Sequence, residues 1–138
     1  MRHIVKQEGL EDRIAVSSAG TGDWHLGEPR DRRSQAVGEK RGIPLSGRAR
    51  HFTSISFDGC DYALAMDRSN RDAMLKLART DADRAKVHLL RTFDPAAPPD
   101  AEVPDPYYGG PRGFDEVFDL CEAACRGLIE HLRREHQL

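Results

Sequence analysis

The segment Pro104-Asp105-Pro106-Tyr107-Tyr108-Gly109-Gly110 holds the residue types in this chain best suited to chemistry. A carboxylate between two prolines has little backbone freedom, which suits a general acid that must meet a leaving group. Two adjacent tyrosines on a loop present large rings that are costly to leave in water, and paired aromatic walls suit a planar substrate. The same residues also read as a Pro/Gly turn with an Asp cap, which needs no chemistry at all.

Two further segments can take part. Ser18-Ala19-Gly20-Thr21-Gly22-Asp23-Trp24 follows an expected strand, and its glycines would let backbone amides approach a phosphate. Its spacing matches neither G-x-x-x-x-G-K-[ST] nor a dinucleotide fingerprint, so a strand-ending turn bearing the single tryptophan explains it equally well. Ala65-Met66-Asp67-Arg68-Ser69-Asn70 falls where a strand gives way to a helix. Open α/β sheets bind ligands at that end of a strand, although Asp67 and Ser69 also serve as helix caps. Cys60, Cys121 and Cys125 include no C-x-x-C pair and the histidines are scattered, so no zinc site is expected. No G-x-S-x-G elbow occurs.

Positioning these residues falls to alternating helices and strands. Met1–Glu8 reads as a short helix with Gly9 as its cap, and Arg13–Ser17 as a strand in which Ile14 and Val16 alternate with polar neighbours. Asp31–Arg41 reads as a helix ending at Gly42, and Tyr62–Met66 as a buried strand. Met74, Leu77 and Ala78 then follow at helical spacing, and Lys86–Leu90 forms a third strand. Asp94–Gly113 holds six of the eight prolines and reads as a functional loop. Phe114, Val117, Phe118, Cys121, Cys125, Leu128, Ile129 and Leu132 mark one face of a helix over Phe114–Arg134. Alternation of this kind implies a parallel sheet wrapped by helices. The first helix has no strand before it, so the chain reads as beginning inside a unit.

Composition narrows the function. The 138 residues fit a single domain over 1–138. They are 38% apolar and 32% charged, with a net charge of −2, which argues against disorder and against a general attraction to nucleic acid. No apolar run reaches the ~18 residues of a membrane span, and no charged-then-apolar leader is visible. An odd cysteine count makes a disulfide framework unexpected and points to the reducing cytoplasm.

Taken together, SAGTGDW, GEPRDRRSQA, RGIPLSGRAR, FDGCDYALAMDRSN, AKVHLL and EVPDPYYGG, followed by FDEVFDLCEAACRGLIEHL, resemble the low molecular weight protein-tyrosine-phosphatase family, in order and over essentially the whole chain. The resemblance implies a three-layer sandwich around a parallel four-stranded sheet, and a reaction that needs no metal or other cofactor. In the family a cysteine thiolate in a C-x-x-x-x-x-R loop attacks phosphorus and forms a phosphocysteine. The loop amides and its arginine hold the phosphoryl oxygens at a helix N-terminus. Carried onto this chain, Asp105 resembles the acid that protonates the leaving phenolate and then helps water attack the intermediate. Tyr107, Tyr108 and Trp24 resemble the walls of the substrate cleft, and Asp67 a support of the phosphate loop from behind. The implied substrate is a tyrosine-phosphorylated protein or a small aryl phosphate, with no nucleic-acid or membrane partner.

One departure is large. The family's first strand and its C-x-x-x-x-x-R loop precede the segment that aligns with Met1, and no cysteine here substitutes for that nucleophile. Six residues after Cys60, Cys121 and Cys125 stand Met66, Gly127 and His131. The resemblance therefore implies a sheet lacking its first, internal strand, a chain inactive as written, and a start assigned about 20 residues too far downstream. Each buried backbone group left unpaired costs about 1–3 kcal/mol, against a total stability of about 5–15 kcal/mol. The chain alone is accordingly expected to be marginally folded at best. A non-catalytic remnant acting as an interaction protein is the alternative reading. Arsenate reductase, which shares the fold and the cysteine loop, is disfavoured by the paired tyrosines and by two cysteines packed on one helix face.

Overall fold

A computed structural model describes residues 1–21, 32–43, 50–105 and 113–138. The first two helices, α1 (Arg2–Gln7) and α2 (Arg32–Lys40), end as the glycine signals require. Gly9 and Gly42 have φ of 68° and 73°, where a Cβ would be strained. After α1 the Gly9 amide donates to the Lys6 carbonyl (3.1 Å) and the Leu10 amide to Val5 (3.0 Å). After α2 the Gly42 amide donates to Glu39 (3.1 Å) and Ile43 to Gly38 (2.7 Å). Both ends are Schellman motifs, which use carbonyls the helix itself cannot satisfy.

Two strands, β1 (Ala63–Ala65) and β2 (Val87–Leu89), pair in parallel with Ala63 opposite Val87 and Ala65 opposite Leu89. Between them run α3 (Arg68–Leu77) and α4 (Asp81–Lys86). The crossover is what a parallel pair needs, since no hairpin can join two strands that run the same way. Helix α4 has only Ala82 and Ala85 as apolar residues, so periodicity does not reveal it. Its signal is local: Thr80 accepts a hydrogen bond from the Asp83 amide (3.1 Å), and the Asp83 carboxylate accepts one from the Arg79 amide (3.0 Å).

The strand expected at Arg13–Ser17 is not formed among the described residues. Ile14 and Val16 instead pack on the apolar cluster that contains Ile4, Leu90 and Ile129, and the Val16 carbonyl accepts from Arg2 Nε at 3.0 Å. Alternation reports which side chains are buried, whereas a strand also needs a neighbour to bond. The described sheet therefore has two strands, and the four-stranded, three-layer arrangement is not seen in it. One isolated parallel bridge joins Gly20 to His51.

The faces of β1 feed different clusters. Ala63 and Ala65 join Phe57, Met74 and Leu89, while Leu64 packs toward Ile4, Leu90 and Ile129. Helix α5 (Gly113–His136) closes the second of these with Ala124, Cys125 and Ile129, and also buries Leu128 and Leu132. Gly127 lets the Leu90–Phe93 turn lie directly on α5, because a Cβ there would overlap the Phe93 carbonyl. Cys121, on the apolar face of α5, is half-buried, as is Cys60, and Cys125 is buried. No described helix is long and apolar enough to cross a membrane.

Candidate active site

The carboxyl end of β1 is a meeting point for three segments far apart in sequence. Chain leaving the strand reaches Asp67, which caps α3 by accepting the Asn70 amide at 2.7 Å. That bond uses one amide the first turn of α3 cannot satisfy itself. Asn70 Nδ2 donates to Thr21 Oγ1 at 3.4 Å, tying in the Ser18–Thr21 segment. From the other side, the Val103 amide donates to the Met66 carbonyl at 2.7 Å. Glu102 completes the junction: Oε2 accepts the Arg68 amide at 2.8 Å and Oε1 accepts Arg68 Nη2 at 3.2 Å. An open cleft beside it is lined by Thr21, His51, Ser69, Asp72 and Lys76.

The electrostatics follow from these bonds. The Arg68 amide and guanidinium hold the Glu102 carboxyl below its ordinary range, and Glu102 in turn raises Arg68. Both side chains are substantially exposed, at 36% and 59%, so the pair is an anchor of modest energy. Burial works the other way on the cysteines. It raises the Cys60 thiol, and with Cys125 close by it pushes Cys121 up to about 11. Neither is a ready thiolate near neutral pH, and the thiolate is the form that attacks.

Of the residues singled out from sequence, Asp67 and Asp105 lie in the described structure. Asp67 is the N-cap of α3, and Asp105 is exposed two residues beyond Val103, so one hydrogen bond separates their segments. Trp24, Tyr107 and Tyr108 lie outside the described residues. Thr21, Arg68, Asn70 and Glu102 lie in segments singled out from sequence, but their individual contacts were not foreseen. Nothing in the spacing of Arg68 and Glu102, 34 residues apart, links the two. Among the described residues no group of three or more His, Cys, Asp or Glu side chains could hold a metal ion.

A parallel pair of strands joined by a helical crossover makes this an α/β domain, a class whose ligands bind at the carboxyl ends of the strands. The comparisons with known proteins make that class specific. The sequence pattern of the family described as low molecular weight phosphotyrosine protein phosphatase matches residues 1–138, and the chain belongs to this family. A low molecular weight protein-tyrosine-phosphatase of Streptomyces coelicolor is 44% identical over 135 residues, covering 97% of this chain and 82% of that protein. The human low molecular weight phosphotyrosine protein phosphatase is 35% identical over 130 residues, covering 94% and 81%. A crystal structure of a protein tyrosine phosphatase from Entamoeba histolytica with Hepes in the active site superposes with a TM-score of 0.89. It is 33% identical, covering 99% of this chain and 86% of that one. The chain thus spans about four fifths of the length of the relatives it matches.

Proposed function

We propose that this chain contributes the acid and the substrate walls of a site that hydrolyses phosphotyrosine or a small aryl phosphate. Asp105 donates its proton to the aryl oxide as the P–O bond breaks. As a carboxylate it then takes a proton from the water that attacks the phosphocysteine. Tyr107, Tyr108 and Trp24 flank the ring, and Asp67 supports the phosphate-binding side from the start of α3. The observation that carries this reading is the Val103–Met66 hydrogen bond (2.7 Å), which brings the Asp105 segment to the carboxyl end of β1. The three free cysteines fit a reducing cytoplasm.

The nucleophile is not among these 138 residues, because no cysteine is followed six positions on by arginine. The 138 residues by themselves therefore turn over no phosphate ester, and a turnover that survives replacement of all three cysteines would overturn the mechanism. The same observation favours a second reading, in which the chain binds a partner without catalysis. Joining a segment that supplies C-x-x-x-x-x-R ahead of Met1 separates the two. Activity toward an aryl phosphate then appears under the first reading and stays absent under the second. In that active protein Asp105→Asn lowers kcat/KM for phenyl phosphate, which runs only as far as the phosphocysteine, by the ~10²–10⁴ of a lost general acid. It has far less effect on kcat/KM for a dinitrophenyl ester, whose leaving group needs no proton, while the shared hydrolysis of the phosphocysteine slows for both. Equal losses in kcat/KM on both esters would remove Asp105 from its role as the acid.

A further inference from the structure

We infer that Glu102 is the positioning residue for Asp105, docking the segment that carries the acid onto the first turn of α3. This rests on the reading of Asp105 as proton donor, and it concerns a contact that the family resemblance did not supply.

Four attachments converge just ahead of the acid. The Glu102 carboxylate takes the Arg68 amide and guanidinium, at 2.8 and 3.2 Å. Its carbonyl accepts Arg91 Nη1 at 2.9 Å, from the turn after β2. The next amide, Val103, reaches Met66 at 2.7 Å, and its side chain is buried in the core. Upstream, Asp100 takes a left-handed turn with φ of 56°, with Arg71 Nη1 3.6 Å from its carboxylate. Aspartate tolerates that conformation better than most residues.

The tether from Val103 to the acid is short and stiff. Only Pro104 separates Val103 from Asp105, and proline fixes its own φ near −65°. A residue advances the chain by at most ~3.6 Å, so a shift of Glu102 reaches Asp105 with little slack to absorb it. An exposed ion pair contributes little to stability, yet a misplacement of ~1 Å at a reacting group can cost about a hundredfold in rate. Glu102 is therefore expected to matter for turnover far more than for folding.

The test uses the chain joined to a C-x-x-x-x-x-R segment, assayed on phenyl phosphate and on a dinitrophenyl ester. Glu102→Ala lowers kcat/KM on phenyl phosphate about tenfold or more through misplacement of the acid. The denaturation midpoint and kcat/KM for the dinitrophenyl ester stay near the parent. Glu102→Gln, which keeps an acceptor oxygen for the Arg68 amide, recovers most of the loss. In an Asp105→Asn background Glu102→Ala costs nothing further on phenyl phosphate, since a misplaced acid and an absent one are equivalent. Equal losses in kcat/KM on both esters, or full additivity with Asp105→Asn, would overturn the inference. Failure of the underlying reading is distinguishable, because there Asp105→Asn itself fails to separate the esters. The Asp105 amide resonance then still reports, by whether it moves in Glu102→Ala, if Glu102 holds the segment.

Discussion

The seam between α5 and the Leu90–Phe93 turn and the junction between Glu102 and α3 hold the chain by opposite means. At the seam the contact is apolar and close, with Ala124 and Ile129 at 0% and 2% exposure, and Gly127 leaving no room for another atom. At the junction the contact is polar and open to water, and its bonds are aimed rather than packed. Burial stabilises in proportion to area and is indifferent to direction. Hydrogen bonds contribute less net energy but specify where atoms sit. A rigid platform on one side and an aimed loop on the other is the arrangement that the acid proposed at Asp105 would need to meet a leaving group.

Substitutions can test that contrast, beginning where the effect is largest. Gly127→Ala places a Cβ against the Phe93 carbonyl. Overpacking against backbone costs about 3 kcal/mol, and the gain in helix propensity returns about 1, leaving a loss of about 2 kcal/mol in urea denaturation. An unchanged midpoint would mean the seam is looser than its geometry. Asp67→Ala removes one capping bond from α3 and costs about 1 kcal/mol. A loss as large as that of Gly127→Ala would place the polar junction on a par with the seam and erase the distinction.

The smallest expected effect is one of pH, at the edge of the seam. His88 lies 5.9 Å from Tyr62 and 5.7 Å from Phe93 between ring centroids, and Tyr62 bonds His136 at 2.9 Å. Burial first, and the nearby His131 second, push His88 below its ordinary value of 6.5. Above 6.5 neither the folded nor the unfolded state protonates it, and stability is undiminished. As pH falls below that value the unfolded chain takes up a proton that the folded chain resists, so stability declines through the window down to the lowered value. Denaturation midpoints measured from pH 7.5 to 5 should show this decline, and His88→Gln should flatten it. The Glu102 carboxyl, also lowered, contributes stability that is lost only at more acid pH, as its folded-state pKa is crossed.

How much was legible depends on the range of the forces. The face of α5 and both glycine-capped ends could be read because each is settled within a turn or two of helix. The Asp67 cap was legible for the same reason, from a short side chain meeting amides three residues away. The strand expected at Arg13–Ser17 was misread because Ile14 and Val16 alternate for packing, without a ladder partner among the described residues. Helix α4 was overlooked because it rests on polar caps at Thr80 and Asp83, where an apolar stripe was sought.

By itself the sequence determined the helix ends, the apolar face of α5, the α/β class and, through its ordered motifs, the family. These depend on side-chain type and local spacing, which the chain carries with it however it folds. Only the tertiary structure decided that β1 and β2 pair with Ala63 opposite Val87. It alone brought Phe93 onto Gly127 and carried Glu102 to the first turn of α3. Each of these contacts joins residues brought together by closing a long stretch of chain. The cost of that closure is met by the whole core at once, so no local pattern records it.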